Sequence, residues 1–109
     1  MSLEDRKNSF ENKYVHDEEL KFKIEARLAK LFGAWVASEL GYAPDKADAY
    51  AKEMVVTQLD APGNDDILAK GQTDLKAAGK DYPEAALVTK INQLEELARA
   101  QIMTEAKSS

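Results

Sequence analysis

A chain of 109 residues with a net charge of −5 has room for one domain and not for two. The lack of cysteine rules out disulfides, thiolate metal sites and cysteine nucleophiles, a single histidine excludes metal sites built on two or more, and the acidic balance argues against nucleic acid as a partner. No apolar run approaches the roughly 18 residues that cross a membrane, and no signal-peptide core follows Met1. The sequence therefore predicts a soluble, intracellular protein with no direct membrane insertion.

The first element is a charge-dense lead-in. Residues 1–30 hold seven basic and seven acidic side chains, whereas residues 31–109 hold eight and thirteen, so the whole excess of −5 lies in the body. In the segment from Leu3 to Tyr14, Leu3, Phe10 and Tyr14 are spaced by seven and four, which aligns them on one face of a helix, with Lys7 thinning the stripe. Periodicity alone leaves three readings open: a fifth element packed on the domain, a plain disordered tail, or an arm that folds on a partner.

The strongest helical pattern follows, over 17–41. Leu20, Ile24, Leu28, Leu31, Phe32, Trp35 and Val36 recur at three- and four-residue spacing. Asp17 suits an N-cap, Glu18 and Glu19 suit the dipole, Glu19 and Lys23 form a favoured i,i+4 pair, and Gly41 suits the stop. Gly33, inside the helix, costs up to about 1 kcal/mol relative to alanine and points to a closely packed neighbour. A second helix is predicted over 44–59, opened by Pro44 and carrying Ala47, Tyr50, Ala51, Met54, Val55 and Leu59 inward. The turn Asp60-Ala-Pro-Gly-Asn64 breaks it. A third, over 65–78, carries Ile67, Leu68, Gly71, Leu75 and Ala78, with Asn64 or Asp65 as cap and Gly79 as terminator. The last, over 83–105, points Leu87, Val88, Ile91, Leu94, Ala98 and Ile102 inward, and residues 107–109 read as a frayed tail.

No segment alternates with period two. Short links favour antiparallel neighbours, so the expected fold is all-α, an antiparallel four-helix bundle over 17–106 with a disordered or weakly helical N-terminal extension over 1–16.

Catalytic and cofactor chemistry finds little support. The five glycines are scattered, so there is no phosphate loop. The acidic turn from Asp60 to Asp66 fails as a calcium loop, because Pro62 and Asp65 fall where a ligand and a glycine are required. Small acidic helical carrier proteins attach their prosthetic arm to a serine that follows aspartate; here Ser9 follows Asn8 and Ser38 follows Ala37. The adjacent pairs Glu95/Glu96 and Asp65/Asp66 diverge by about 100° on a helix and share no proton site. Trp35 beside Phe32 and Val36 reads as core rather than pocket lining. No cofactor, metal site or enzymatic activity is expected. His16 precedes Asp17, Glu18 and Glu19, whose charge favours its protonated form. It is a pH-sensitive joint or, more plainly, an exposed residue ahead of a helix.

The strings Asp5-Arg6, Phe10-Glu11-Asn12-Lys13-Tyr14, His16-Asp-Glu-Glu-Leu-Lys-Phe-Lys23 and Glu25-Ala26-Arg27 resemble the ζ (zeta) subunit family of alphaproteobacterial ATP synthases. The likeness continues through Lys30-Leu31, Gly33, Trp35, Glu39-Leu40-Gly41, Ala49-Tyr50-Ala51-Lys52-Glu53 and the Asp60–Asp66 turn, and weakens at Ala100-Gln101-Ile102-Met103. Lys7 and Leu28-Ala29 depart from the family pattern. The resemblance implies a four-helix bundle whose N-terminal arm inhibits ATP hydrolysis by F1-ATPase. The arm becomes helical at an α/β catalytic interface, reaches toward the γ subunit and blocks rotation, while the bundle docks outside. Carried over by position, Leu3, Asp5, Arg6, Phe10, Glu11, Lys13 and Tyr14 would face the partner. The protein would be a regulatory subunit, a monomer when free, cytoplasmic and held peripheral to the inner membrane through F1. Two alternatives stand beside this: a helical-bundle sensor of a small ligand such as an adenine nucleotide, and an ATP synthase accessory subunit that does not inhibit.

Overall fold

The computed structural model describes the backbone of residues 3–61 and 63–108 and the side chains of residues 18–61 and 63–106. Four helices follow one another: α1 (Leu3–Glu39), α2 (Pro44–Asp60), α3 (Asp65–Ala77) and α4 (Glu84–Ser108). Among the described residues there is no strand.

No glycine or proline occurs between Leu3 and Phe32, so nothing in the covalent chain stops α1 at the expected start. The helix passes through Asp17 without a break, and Asp17 does not begin it. Its 37 residues amount to about 55 Å of helix and set the 62 Å long axis of the molecule. At the other end Gly41 takes φ of 75°. Its N–H bonds the Ser38 carbonyl at 3.1 Å and the Tyr42 N–H bonds the Ala37 carbonyl at 3.0 Å, the two bonds of a Schellman ending. Gly79, with φ of 81°, closes α3 in the same way through Gly79 to Lys76 and Lys80 to Leu75. Pro44 stands in the first turn of α2. At α3 the expected side-chain cap is absent, because the Asn64 Oδ1 instead accepts from Gln58 Nε2 at 3.1 Å. Asp65 and Asp66 favour that start through the dipole alone. Helix α4 continues to Ser108, past the expected end at Glu105.

The helices alternate in direction. The middle of α1 meets the end of α4, where Arg27 bonds Gln101 and Glu105. The end of α1 meets the α3–α4 link, where Glu39 lies 3.9 Å from Lys80 and Trp35 lies 5.6 Å from Tyr82. The core between them is formed by Ile24, Leu28, Phe32 and Val36 of α1, Met54 of α2, Ile67 and Leu75 of α3, and Leu87, Ile91, Ala98 and Ile102 of α4. Each large side chain buried there contributes about 1.5–3 kcal/mol. Trp35 is half-buried against Phe32 and Tyr82, as a core residue rather than an open ligand wall. Two residues expected inward, Leu59 and Val88, are 40 % exposed, because their neighbours Gln58 and Leu87 take the inward position at 1 % and 0 % exposure and a helical step of about 100° turns the next residue outward. The i,i+4 pair expected between Glu19 and Lys23 does not close among the described residues, and Lys70–Asp74 and Glu95–Arg99 are the pairs that do.

Candidate functional site

The side chains of Leu3, Asp5, Arg6, Phe10, Glu11, Lys13, Tyr14 and His16 lie outside the described residues, so the site can be built only from its root. Leu20 is the first described side chain packed against the core and Ile24 the first that is fully buried, whereas Glu18 and Glu19 are exposed. Among the described side chains, the packing of α1 against the bundle thus begins at Leu20.

The root is clamped to α4. Arg27 Nη1 donates to Gln101 Oε1 at 2.7 Å, and Arg27 Nη2 donates to the Glu105 carboxylate at 2.9–3.0 Å. The planar guanidinium suits this two-acceptor geometry. Sequence reading passed over Arg27, although its place three residues after Ile24 and four before Leu31 puts it at the margin of the apolar stripe. On the α2 side the fit is closer still. A Cβ on Gly33 would stand 2.8 Å from Ala51 Cα, and on the α3 side one on Gly71 would stand 2.8 Å from the Phe32 ring.

Open grooves flank the root. One of about 530 Å³ runs past Leu20, Phe22, Val55 and Ile102, with Lys23, Arg27, Lys30 and Glu105 around it. A second, of about 540 Å³, shares Lys30 and Val55 and adds Val56 and Lys52. Phe22 and Val56 are 55 % and 57 % exposed.

The polar clusters are structural in character. The Tyr50 hydroxyl donates to Asp74 at 2.6 Å, tying α2 to α3, and Lys70 neutralises Asp74 at 3.4 Å while lying 5.0 Å above the Tyr50 ring. Burial, and then that hydrogen bond, push the Tyr50 hydroxyl far above its ordinary value. Partial burial and a bond to Glu39 push Tyr82 the same way. Gln58, 1 % exposed, was missed by the sequence reading; its Oε1 has no partner among the described residues. A polar groove of about 270 Å³ at Thr73, Lys76 and Lys80 falls below the roughly 300–1,000 Å³ usual for ligand sites. Among the described residues no group of acidic or histidine side chains is placed to hold a metal ion, and no helix is long and apolar enough to cross a membrane.

No curated protein matches the chain. A structure described only as a solution NMR structure is 41 % identical, with a TM-score of 0.67, over 79 % of this chain and 98 % of its own. The family model of the ATPase inhibitor subunit zeta matches residues 1–101, thus the extension together with nearly all of the bundle. The chain belongs to the ATPase inhibitor subunit zeta family.

Proposed function

We propose that this protein is a regulatory, non-catalytic subunit that binds the F1 sector of ATP synthase and suppresses ATP hydrolysis through residues 1–16, with residues 17–106 as the bundle that carries them. The observation that carries the reading is the reach of the family match. It begins at residue 1 and so includes the extension. Leu3, Phe10 and Tyr14, spaced to share one face of a helix, suit burial in a partner.

In this mechanism the arm enters an α/β catalytic interface and points toward the γ subunit. Hydrolysis requires that interface to open and close as γ turns, so a helix lodged in it stops the cycle. Phe10 and Tyr14 are the buried anchors, since large aromatics dominate interface energetics. Leu3 extends their stripe. Arg6 pairs with a carboxylate of the partner, and Asp5, Glu11 and Lys13 fix register around the apolar line. The free protein is a monomer, cytoplasmic and peripheral to the membrane through F1. His16 stands where arm and bundle join. As a pH-sensitive joint it predicts that His16→Gln removes the pH dependence of inhibition; an unchanged dependence leaves it without that role.

Substitution of the anchors in the full chain tests the reading. Phe10→Ala with Tyr14→Ala should weaken inhibition of F1 hydrolysis at least 100-fold while the circular dichroism of the bundle stays the same. Inhibition equal to that of the unsubstituted chain would remove the arm from the mechanism.

A further inference from the structure

The two grooves that meet at Lys30 of α1 and Val55 of α2 have the chemistry of a small-ligand site. Their volumes, about 530 and 540 Å³, each lie within the range usual for such sites. Phe22 and Ala26 line the first, and Ala51 and Val56 line the second. Phe22 and Val56 stand open to solvent, and large apolar side chains exposed together along a groove mark a place where something binds.

Charge in the grooves runs against that of the chain. Lys23, Arg27, Lys30 and Lys52 line them against two acids, Glu105 and Asp48, on a protein of net charge −5. Arg27 and Glu105 engage each other at 2.9 Å. Elsewhere Lys70 and Lys80 pair with carboxylates, and Lys46 and Lys90 lie over aromatic rings. Lys23, Lys30 and Lys52 have no ion-pair partner among the described residues. Three lysines against the one remaining aspartate draw an anion.

What the lining lacks defines the body of that anion. Among the described residues that line the two grooves, none carries a hydroxyl or an amide side chain. A sugar or a nucleobase would leave several polar groups unpaired against such walls, at a cost in free energy. A hydrocarbon chain makes no such demand and gains with every methylene it buries. From Phe22 to Lys30 is about 12 Å along α1. An alkyl chain lying over Phe22 and Ala26 therefore brings its head to Lys30, where the second groove begins and Lys52 joins from α2.

We propose that these grooves bind a single-chain alkyl carboxylate, a free fatty acid. Its hydrocarbon lies over Phe22, Val55 and Val56, and its carboxylate sits between Lys30 and Lys52. The site needs no second protein, so it stands or falls independently of the reading of this chain as an F1 inhibitor.

NMR titration of the full chain with sodium laurate, below the concentration at which laurate forms micelles, tests it. Amide signals of residues 22–30 and 51–56 should shift together and saturate. Lys30→Gln with Lys52→Gln, at exposed positions, should weaken binding roughly 10-fold with unchanged circular dichroism. Val56→Asn should weaken it too, as a loss on the apolar side. Butyrate, with the same head and a short tail, should bind roughly 10-fold more weakly than laurate. Shifts that scatter over the whole surface and rise without saturating would show unspecific association of a detergent and overturn the site. So would equal affinity in the lysine variant. Saturable binding of ATP at these residues without binding of laurate would make it a nucleotide site and overturn the assignment. Sedimentation with phosphatidylglycerol vesicles, without saturable binding of laurate, would show a membrane contact and overturn it as well.

Discussion

Gly33 of α1 sits so close to Ala51 of α2 that a Cβ on it would stand 2.8 Å from the Ala51 Cα and 3.0 Å from the Met54 Cβ. Backbone cannot swing away as a side-chain tip can, so alanine here must separate the helices. Overpacking of this kind costs about 1–3 kcal/mol, against a gain of up to about 1 kcal/mol in helix propensity. Gly33→Ala should therefore destabilise by about 1–2 kcal/mol in urea unfolding. Gly71→Ala, which meets the buried Phe32 ring at 2.8 Å, should behave alike. A gain in stability at Gly33 would mean that propensity, not packing, decides there.

Arg27 is the fastener between the root of the arm and α4. Arg27→Met keeps the aliphatic stem and removes both bonds, to Gln101 and to Glu105. With the arginine 27 % and Glu105 57 % exposed, water replaces much of what is lost, and the cost should be about 0.5–1.5 kcal/mol. Amide exchange in the last turns of α4 should accelerate, because the clamp holds that end. Unchanged exchange there would show that α4 is held by Ile102 and its apolar neighbours alone.

The Tyr50–Asp74 bond makes stability depend on pH at the alkaline end. Burial and the carboxylate raise the folded-state value of Tyr50 well above its ordinary 10.0. The unfolded chain therefore releases this proton first, and stability falls as pH rises above about 10, by up to about 1.4 kcal/mol per pH unit from this group. Tyr50→Phe should cost about 1–2 kcal/mol at pH 7, where the bond is intact. The difference from the parent should shrink above pH 10, as read by urea unfolding at both pH values. A difference that does not depend on pH would contradict the assignment.

Gln58 carries a buried oxygen without a described partner. Gln58→Met has similar volume, removes that orphan and forfeits only the bond to the half-buried Asn64. The variant should unfold within about 1 kcal/mol of the parent, or later than it. A loss of several kcal/mol would reveal a partner for Oε1.

Much of this architecture can be read in the residues. The three- and four-residue spacing from Leu20 to Val36, Pro44 at the head of α2 and the glycines at 41 and 79 place helices and stops close to where they stand. Gly33, an unfavourable residue in a helix interior, announces the close approach of α2. Other features depend on what lies across the bundle, which spacing along one helix does not encode. Leu59 and Val88 have the period of buried residues, yet Gln58 and Leu87 beside them take the inward position. Asn64 has the chemistry of a cap, but the Gln58 amide takes its oxygen. The boundary at Asp17 rested on a change in composition, and a helix can run through such a change when no residue breaks it. At the site, the arm residues are an expectation carried by the resemblance and lie outside the described side chains, and spacing along α1 and α2 conveys neither Arg27 as a clamp nor the exposed Phe22 and Val56.

ATP hydrolysis by the cognate F1-ATPase, titrated with the full chain and with a chain lacking residues 1–16, tests the central claim most directly. The account predicts that hydrolysis falls with the full chain and that the shortened chain, still helical by circular dichroism, has no effect at the same concentrations. Equal inhibition by both chains would contradict it, since the activity would then belong to the bundle.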